Sequence, residues 1–424
     1  MVALVGSFFL AVALGIPISV SIGLSAVTYI LLYGSVPLAV IAQQMTLGID
    51  SFPLLAIPLF LLAGLVMSEA DITPRIIRFA DALVGRIAGG LAMVMVISCM
   101  FFGAISGSGV ADVTAIGSLM LPAMDKQGYR KGLSASLLGC AGSLGTVIPP
   151  SIVMIILGVT TGTSIGKLYL GGFVPGVFTG LCLMALAWVY ATRMNLPPGA
   201  PFSLWKVGTS FWQAFLSLLT PVIIIGGIVS GVFTATEAAA VASAYALVLG
   251  LCVYRTLTLR RLPAIFLNVA LTTGVILFII SAAALFGWVL AAEQIPQRIA
   301  ELFLAFTRNY YALLILINVL LLILGTFMET IAIIIIVVPV LMPLVTNLGM
   351  DPIHFGVMVT VNLAIGANTP PVGVDLIAAC KVGQTTLDDA WPYVWPFVGA
   401  MTVALTLITF VPQIVTFLPH TFMK

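Results

Sequence analysis

Long uncharged apolar runs alternate with short charged segments along the whole chain. Residues 1–49, 51–68, 87–111, 132–166, 168–192, 207–236, 262–292, 309–328, 352–374 and 390–423 contain no Asp, Glu, Lys or Arg. A helix crosses a bilayer with about 20 apolar residues, so most of these runs predict one crossing each. Run 1–49 has room for one tilted or two short crossings, followed by a more polar stretch at Gln43-Gln44. Between runs, Arg75, Arg78 and Arg86 alternate with Ile76, Ile77, Phe79 and Leu83 at a helical period. That pattern predicts a helix lying in the membrane interface, its arginines reaching to water.

Glycine and proline interrupt the runs in two ways. The first is a polar tip between two apolar arms. Gly103-Ala-Ile-Ser106-Gly-Ser108-Gly109 separates 89–102 from 110–124, and Gly325-Thr326-Phe-Met-Glu329-Thr330 separates 309–324 from 331–345. Arms of about 15 residues rise only about 22 Å as helix, short of the hydrocarbon core, so each pair predicts a re-entrant hairpin. The second is a double proline within an apolar run, Pro149-Pro150 after Gly142-Ser143-Leu-Gly145-Thr146 and Pro370-Pro371 after Gly366-Ala-Asn368-Thr369. Proline removes an amide donor and clashes with the preceding turn, so these read as broken helices.

The interruptions repeat. Pro122 and Pro343 each stand 27 residues before a double proline; Gly128 matches Gly349 and Gly145 matches Gly366 at the same offset. Upstream, Gly103 matches Gly325, Pro74 matches Pro296 with a one-residue slip, and Gly15-Ile-Pro17 pairs with Gly231-Val-Phe233. This predicts two repeats, 1–210 and 211–424. The first holds an arm over 72–88, a hairpin over 89–124 and a broken helix over 133–158. The second holds the same parts over 293–308, 309–345 and 354–380. Basic loops at 75–86, 125–131, 193–206 and 255–261 share one side by span counting, cytoplasmic by the positive-inside rule. The second arm lies one crossing beyond loop 255–261, so the repeats are expected to be inverted, the pattern of a secondary transporter.

Composition narrows the class. With 61% apolar and 7% charged residues, the chain lacks the roughly 25% charge of a soluble protein. A net charge of +2 leaves no basic stripe for nucleic acid, and the apolar content excludes disorder. A β-barrel would alternate polar and apolar residues. An all-α polytopic membrane protein remains. Cys99, Cys140, Cys182, Cys252 and Cys380 have no redox or zinc spacing, and His354 and His420 are too few for a multi-histidine metal site. Ala11-Val-Ala13 has the small-residue form of a cleavage site, but no basic residue precedes it, so it reads as part of a retained span.

Unpaired main chain inside a bilayer is tolerable where it is buried in protein or lines a cavity. Carbonyls freed at the breaks, with Ser, Thr and Asn oxygens, are hard neutral ligands suited to sodium. The start of each resumed half-helix offers N–H groups to a carboxylate. Tip and break of one half can then meet in one cluster, giving two in the molecule. Intramembrane carboxylates need a reason. Glu237 has one in Thr234-Ala-Thr-Glu237, a capping box. Asp112 and Glu329 follow the two tips, with capping, cation binding and exposure to water all open. Asp375 follows the second double proline near an expected polar end.

The stretches ISGSGVADVTAIG, AGSLGTVIPPSIVMI, ETIAIIIIVVPVLMPLV and GANTPPVGVDLI resemble the large membrane subunit of TRAP transporters, the DctM- or SiaM-like component, over nearly the whole chain. The resemblance implies an elevator-type fold of the ion-transporter superfamily in a bacterial inner membrane. It also implies sodium-driven uptake of an organic anion, with dicarboxylates and sialic acids prominent. Carried across, Ser106, Ser108, Gly145 and Pro149 would line one sodium site; Gly325, Thr326, Gly366 and Thr369 the second. The anion would sit between the tips, near Ser151 and Asn368. Sodium would be the coupling ion, with no other cofactor. The implied partners are a small four-helix DctQ-like membrane subunit, expected as a separate chain, and a periplasmic substrate-binding protein. Two other readings stand beside this one. One is a self-sufficient sodium–dicarboxylate symporter of the same architecture; the other is an intramembrane enzyme using Asp112 and Glu329 as an acid/base pair, for which no metal cluster or nucleophile–base pairing is visible. No P-loop is present, so ATP hydrolysis is not expected.

Overall fold

The computed structural model describes residues 2–33, 36–196, 201–307 and 309–423. Residues 197–200 of the basic loop 193–206, and Arg308 at the end of the second arm, lie outside them. The described chain is helical, with no strand. Run 1–49 divides into α1 (Val2–Ala13), α2 (Ile18–Tyr33) and α3 (Ala39–Ile49), one more piece than its length suggested. The positive φ of Gly15 turns the chain between α1 and α2. Then come α4 (Ala56–Glu69), α5 (Ile72–Val84), α6 (Gly90–Ser106), α7 (Gly109–Lys126), α8 (Lys131–Gly142), α9 (Ile152–Thr161) and α10 (Ile165–Arg193).

The second half begins with α11 (Leu204–Val229), α12 (Ala235–Val248) and α13 (Leu262–Ala292). It continues with α14 (Ile295–Phe306), α15 (Tyr310–Phe327), α16 (Thr330–Ile336), α17 (Val338–Asn347), α18 (Pro352–Gly366) and α19 (Val374–Val382), and closes with α20 (Leu387–Phe410) and α21 (Gln413–Phe422). Seven described helices are long and apolar enough to cross a membrane: α10, α11, α13, α15, α20, the α4 rod from Phe52, and α12 extended to Val253. Apolar side chains line much of the surface, including Leu204, Trp205, Leu267 and Leu271, as lipid contact requires.

Local chemistry sets the ends of these helices. Thr234 and Glu237 form the capping box expected at the start of α12. Asn309 caps α15, Asp351 caps α18, and Thr386 with Asp389 boxes α20. In α5, Ile72, Thr73, Ile76, Phe79 and Ala80 are buried on one face. Arg75, on the same helix, lies 4.0 Å over the Tyr254 ring.

The two stretches expected to be hairpins hold α6–α7, which pack on each other, and α15–α16–α17. Their first arms, of 17 and 18 residues, are longer than the 15 anticipated, because the helix continues into the polar tip as far as Ser106 and Phe327. The returning arm of the second hairpin bends by 54° between α16 and α17. Pro339 and Pro343 stand just beyond the bend, and a proline ring crowds the turn that precedes it. The broken helices are α8–α9 and α18–α19.

The packing crosses between the halves. Helix α9, beyond the first double proline, lies on α16 of the second hairpin; α19, beyond the second double proline, lies on α7 of the first. Around this centre α10 packs on α6, α18 and α20, and α8 on α20. On the other side α13 packs against α2, α3, α4 and α16, and α4 against α12. The Ser243 hydroxyl of α12 donates to the Leu59 carbonyl of α4 at 2.5 Å.

Candidate functional site

Each hairpin tip rests on the break of its own half through a pair of glycines. A Cβ on Gly103 would stand 2.6 Å from the Cα of Gly145, and one on Gly366 would stand 2.7 Å from the Cα of Gly325. No residue with a side chain fits such main-chain contacts. A hydrogen bond fastens each pair: Ile152 N–H donates to the Gly107 carbonyl, and Val372 N–H to the Thr326 carbonyl, both at 3.3 Å. The donors stand two residues past the first double proline and one residue past the second. Both double prolines carry a cis peptide bond.

In the first cluster the Ser106 hydroxyl donates to Asp112 Oδ1, and Ser108 N–H donates to Ser106 Oγ at 3.2 Å. Asp112 is fully buried, and its other oxygen, Oδ2, has no hydrogen-bond partner among the described residues and faces Gly103 and Gly145. Gly107 has a positive φ of 65°, and a Cβ there would meet the Pro150 carbonyl at 2.7 Å. Ser106, Ser108 and Gly145 therefore gather at one place, with Pro149 in the break beside them.

In the second cluster the hydroxyls of Thr326 and Thr369 donate to the carbonyls of Ile323 and Ile365, at 2.7 and 2.8 Å. A hydroxyl that spends its proton this way keeps its oxygen lone pairs for a cation. Thr369 N–H donates to the Gly366 carbonyl at 3.0 Å, so Gly325, Thr326, Gly366 and Thr369 also come together. Glu329 caps α16, its carboxylate accepting from Ile331 N–H at 3.1 Å and Ala332 N–H at 3.3 Å.

Between the tips lies a cavity of about 280 Å³. Its walls are Gly107–Val110 from one tip and Met328–Ile331 from the other, with Thr146, Ile152, Val374 and Asp375 from the breaks. Leu61 of α4 and Thr272 and Ile276 of α13 close the far side. Ser151 and Asn368 do not line it. Ser151 is buried as the cap of α9, accepting from Met154 N–H at 3.2 Å and donating to the Thr146 carbonyl at 2.5 Å. Asn368 points toward α8, where its Oδ1 fills the space that a Cβ on Gly139 would take.

Asp375 is the residue that spacing misplaced. It is only 4% exposed, packed on Gly109 of the opposite half, rather than at a polar end. The contact joins positions far apart in sequence, so no local pattern announces it. Thr272 did leave a trace, as part of the polar pair Thr272-Thr273 inside the uncharged run 262–292.

Residues 5–414 match the DctM component of the tripartite ATP-independent periplasmic transporters. The chain is 42% identical over 415 residues to the isethionate TRAP transporter permease protein DctMQ of Oleidesulfovibrio alaskensis. That match covers 98% of this chain and 65% of the relative, so the chain spans just under two thirds of its length. Identity is 41% to the sialic acid TRAP transporter large permease protein SiaM of Vibrio cholerae, covering 99% of both chains. It is 39% to the C4-dicarboxylate TRAP transporter large permease protein DctM of Rhodobacter capsulatus, covering 96% of both. In fold, the chain superposes on the YdaH transporter of Alcanivorax borkumensis with a TM-score of 0.59, covering 88% of each chain at 15% identity. A family match that fills the chain, and relatives near 40% identity over almost their full length, show that this protein belongs to the DctM family, the large permeases of TRAP transporters.

Proposed function

We propose that this permease is the sodium-coupled translocating subunit of a three-part importer in a bacterial inner membrane. A periplasmic binding protein delivers an organic acid of the C4-dicarboxylate or sialic acid class, and a small DctQ-like subunit accompanies the permease. The two halves, 1–210 and 211–424, stand inverted, and the hairpins move with the broken helices as one elevator body past α4, α12 and α13.

The observation that carries this reading is the pair of tip-to-break glycine contacts flanking one cavity. Ser106, Ser108, Gly145 and Pro149 surround one sodium ion and Gly325, Thr326, Gly366 and Thr369 the other. An ion at either place bridges a hairpin to a broken helix, which links ion occupancy to the shape of the substrate cavity between them. The driving force is adequate: each positive charge moving down 100 mV contributes about 2.3 kcal/mol, so two ions supply about 4–5 kcal/mol before their concentration gradient is counted.

The test is uptake of labelled succinate, N-acetylneuraminate or another organic acid by proteoliposomes holding the permease and its small subunit. Uptake is expected to need an inward sodium gradient and the binding protein. Equal uptake in potassium overturns sodium coupling. Uptake by the permease alone overturns the three-part arrangement.

A further inference from the structure

The cavity between the tips is acidic. Glu329 and Asp375 line it, and no Lys, Arg or His does. Asp112 lies buried beside it, so three carboxylates surround a space expected to receive an organic acid. Two of the three are occupied: Glu329 accepts the first N–H groups of α16, and Asp112 accepts the Ser106 proton. Asp375 is different. Its main-chain N–H donates to the Ala367 carbonyl at 2.9 Å, but its carboxylate takes part in no hydrogen bond or ion pair among the described residues.

Asp375 is more than nine-tenths buried and lines the cavity. Room for it exists because residue 109 is glycine; a Cβ there would stand 2.7 Å from Asp375 Oδ2. Its place in the first turn of α19 offsets part of the cost of burying a charge. The rest calls for a partner, since a buried carboxylate is stable when paired and hydrogen-bonded. The described residues supply none, and an occupant of the cavity bearing N–H donors would. No aromatic ring lines the cavity, so a fully alkylated ammonium would find no cage of the kind such groups use. A carboxylate calls instead for N–H donors. The volume, about 280 Å³, is just below the roughly 300–1,000 Å³ of ligand pockets and suits a compact solute.

We propose that Asp375 selects the substrate: the cavity takes a compact zwitterion, an organic acid that also carries an ammonium or amidinium group, and its N–H donors bind the Asp375 carboxylate. This rests on the cavity being the substrate site, keeps the organic acid of the proposed function, and departs from its plain C4-dicarboxylate and sialic acid classes by adding a cationic N–H group. A bare dicarboxylate would bring a second negative charge to Asp375 where the zwitterion brings a positive one.

The test is thermal unfolding of the purified full-length permease in lipid nanodiscs, in sodium chloride and in potassium chloride. The probes are 4-aminobutyrate and β-alanine as ammonium zwitterions, glycine betaine as a zwitterion without N–H, and succinate and N-acetylneuraminate as anions. At about 50 mM, the ammonium zwitterions are expected to raise the melting temperature in sodium more than any other probe. Asp375→Asn is expected to weaken their apparent affinity about tenfold or more while leaving stabilisation by sodium alone unchanged. Stronger stabilisation by succinate or N-acetylneuraminate overturns the proposal, as does an unchanged ranking in Asp375→Asn or no shift with any ammonium zwitterion. Stabilisation of the unsubstituted protein by sodium without any solute reports separately on sodium coupling.

Discussion

Adding one methyl group at Gly366 separates the second tip from its break. The new Cβ would stand 2.7 Å from Gly325 Cα, 2.9 Å from its carbonyl carbon and 3.1 Å from its oxygen. Ordinary contact begins near 3.4 Å, so the two main chains must part by about 0.7 Å, and no flexible side-chain end is present to yield. Overpacking of this kind costs about 1–3 kcal/mol. On the proposed function, sodium binds with tip and break together, so the cost falls on sodium affinity as a loss of roughly 5- to 150-fold. Gly325→Ala is expected to be milder, because its Cβ would meet Gly366 Cα at 3.0 Å and then nothing closer than 3.7 Å. Gly274→Ala on α13 has nothing within 4 Å and serves as the neutral control. The assay is the rise in melting temperature of the purified protein as sodium replaces potassium, titrated to saturation for each variant. Sodium affinity in Gly366→Ala equal to that of the unsubstituted protein, or a larger loss in Gly325→Ala than in Gly366→Ala, would refute the reasoning.

Three further outcomes follow from the same geometry. Ser108→Ala and Thr369→Ala are each expected to weaken the sodium dependence of uptake while leaving membrane insertion and expression intact; sodium titration of transport beside a membrane-fraction blot checks both. Glu329→Ala removes the cap of α16 and is expected to cost about 1 kcal/mol, whereas Glu329→Gln keeps an acceptor and loses less, as compared by thermal unfolding. Arg261 and Glu69 form an exposed ion pair at 3.0 Å, so Arg261→Gln is expected to change stability by less than about 1 kcal/mol, checked in the same assay at low and high salt.

Glycine and proline made the hairpins and broken helices legible, because each acts on its own stretch of backbone. The repeat spacing pointed to which tip belongs with which break, and Thr234 and Glu237 announced a helix start in four letters. Other features leave no local trace. Run 1–49 holds three helices, but without charges to punctuate it, its apolar letters do not say where the chain turns. Asn368 looks like a ligand by composition, yet its amide donates to the Ala364 carbonyl at 2.9 Å and its oxygen is turned to α8. Asp375 had the opposite fate, since its surroundings come from Gly109 in the other half. Motifs name the residues able to do chemistry; which way each faces is decided by helices packed from elsewhere.

The crosswise packing of α9 on α16 and α19 on α7 has a consequence for how such a molecule is altered over generations. Neither half owns the whole cavity between the tips, because each supplies one wall to its twin. A half expressed by itself would expose that wall and lose its counterpart, so two genes each encoding half would have to be inherited together. A side chain added at residue 109 in one half bears directly on residue 375 in the other, because a Cβ on Gly109 would stand 2.7 Å from Asp375 Oδ2.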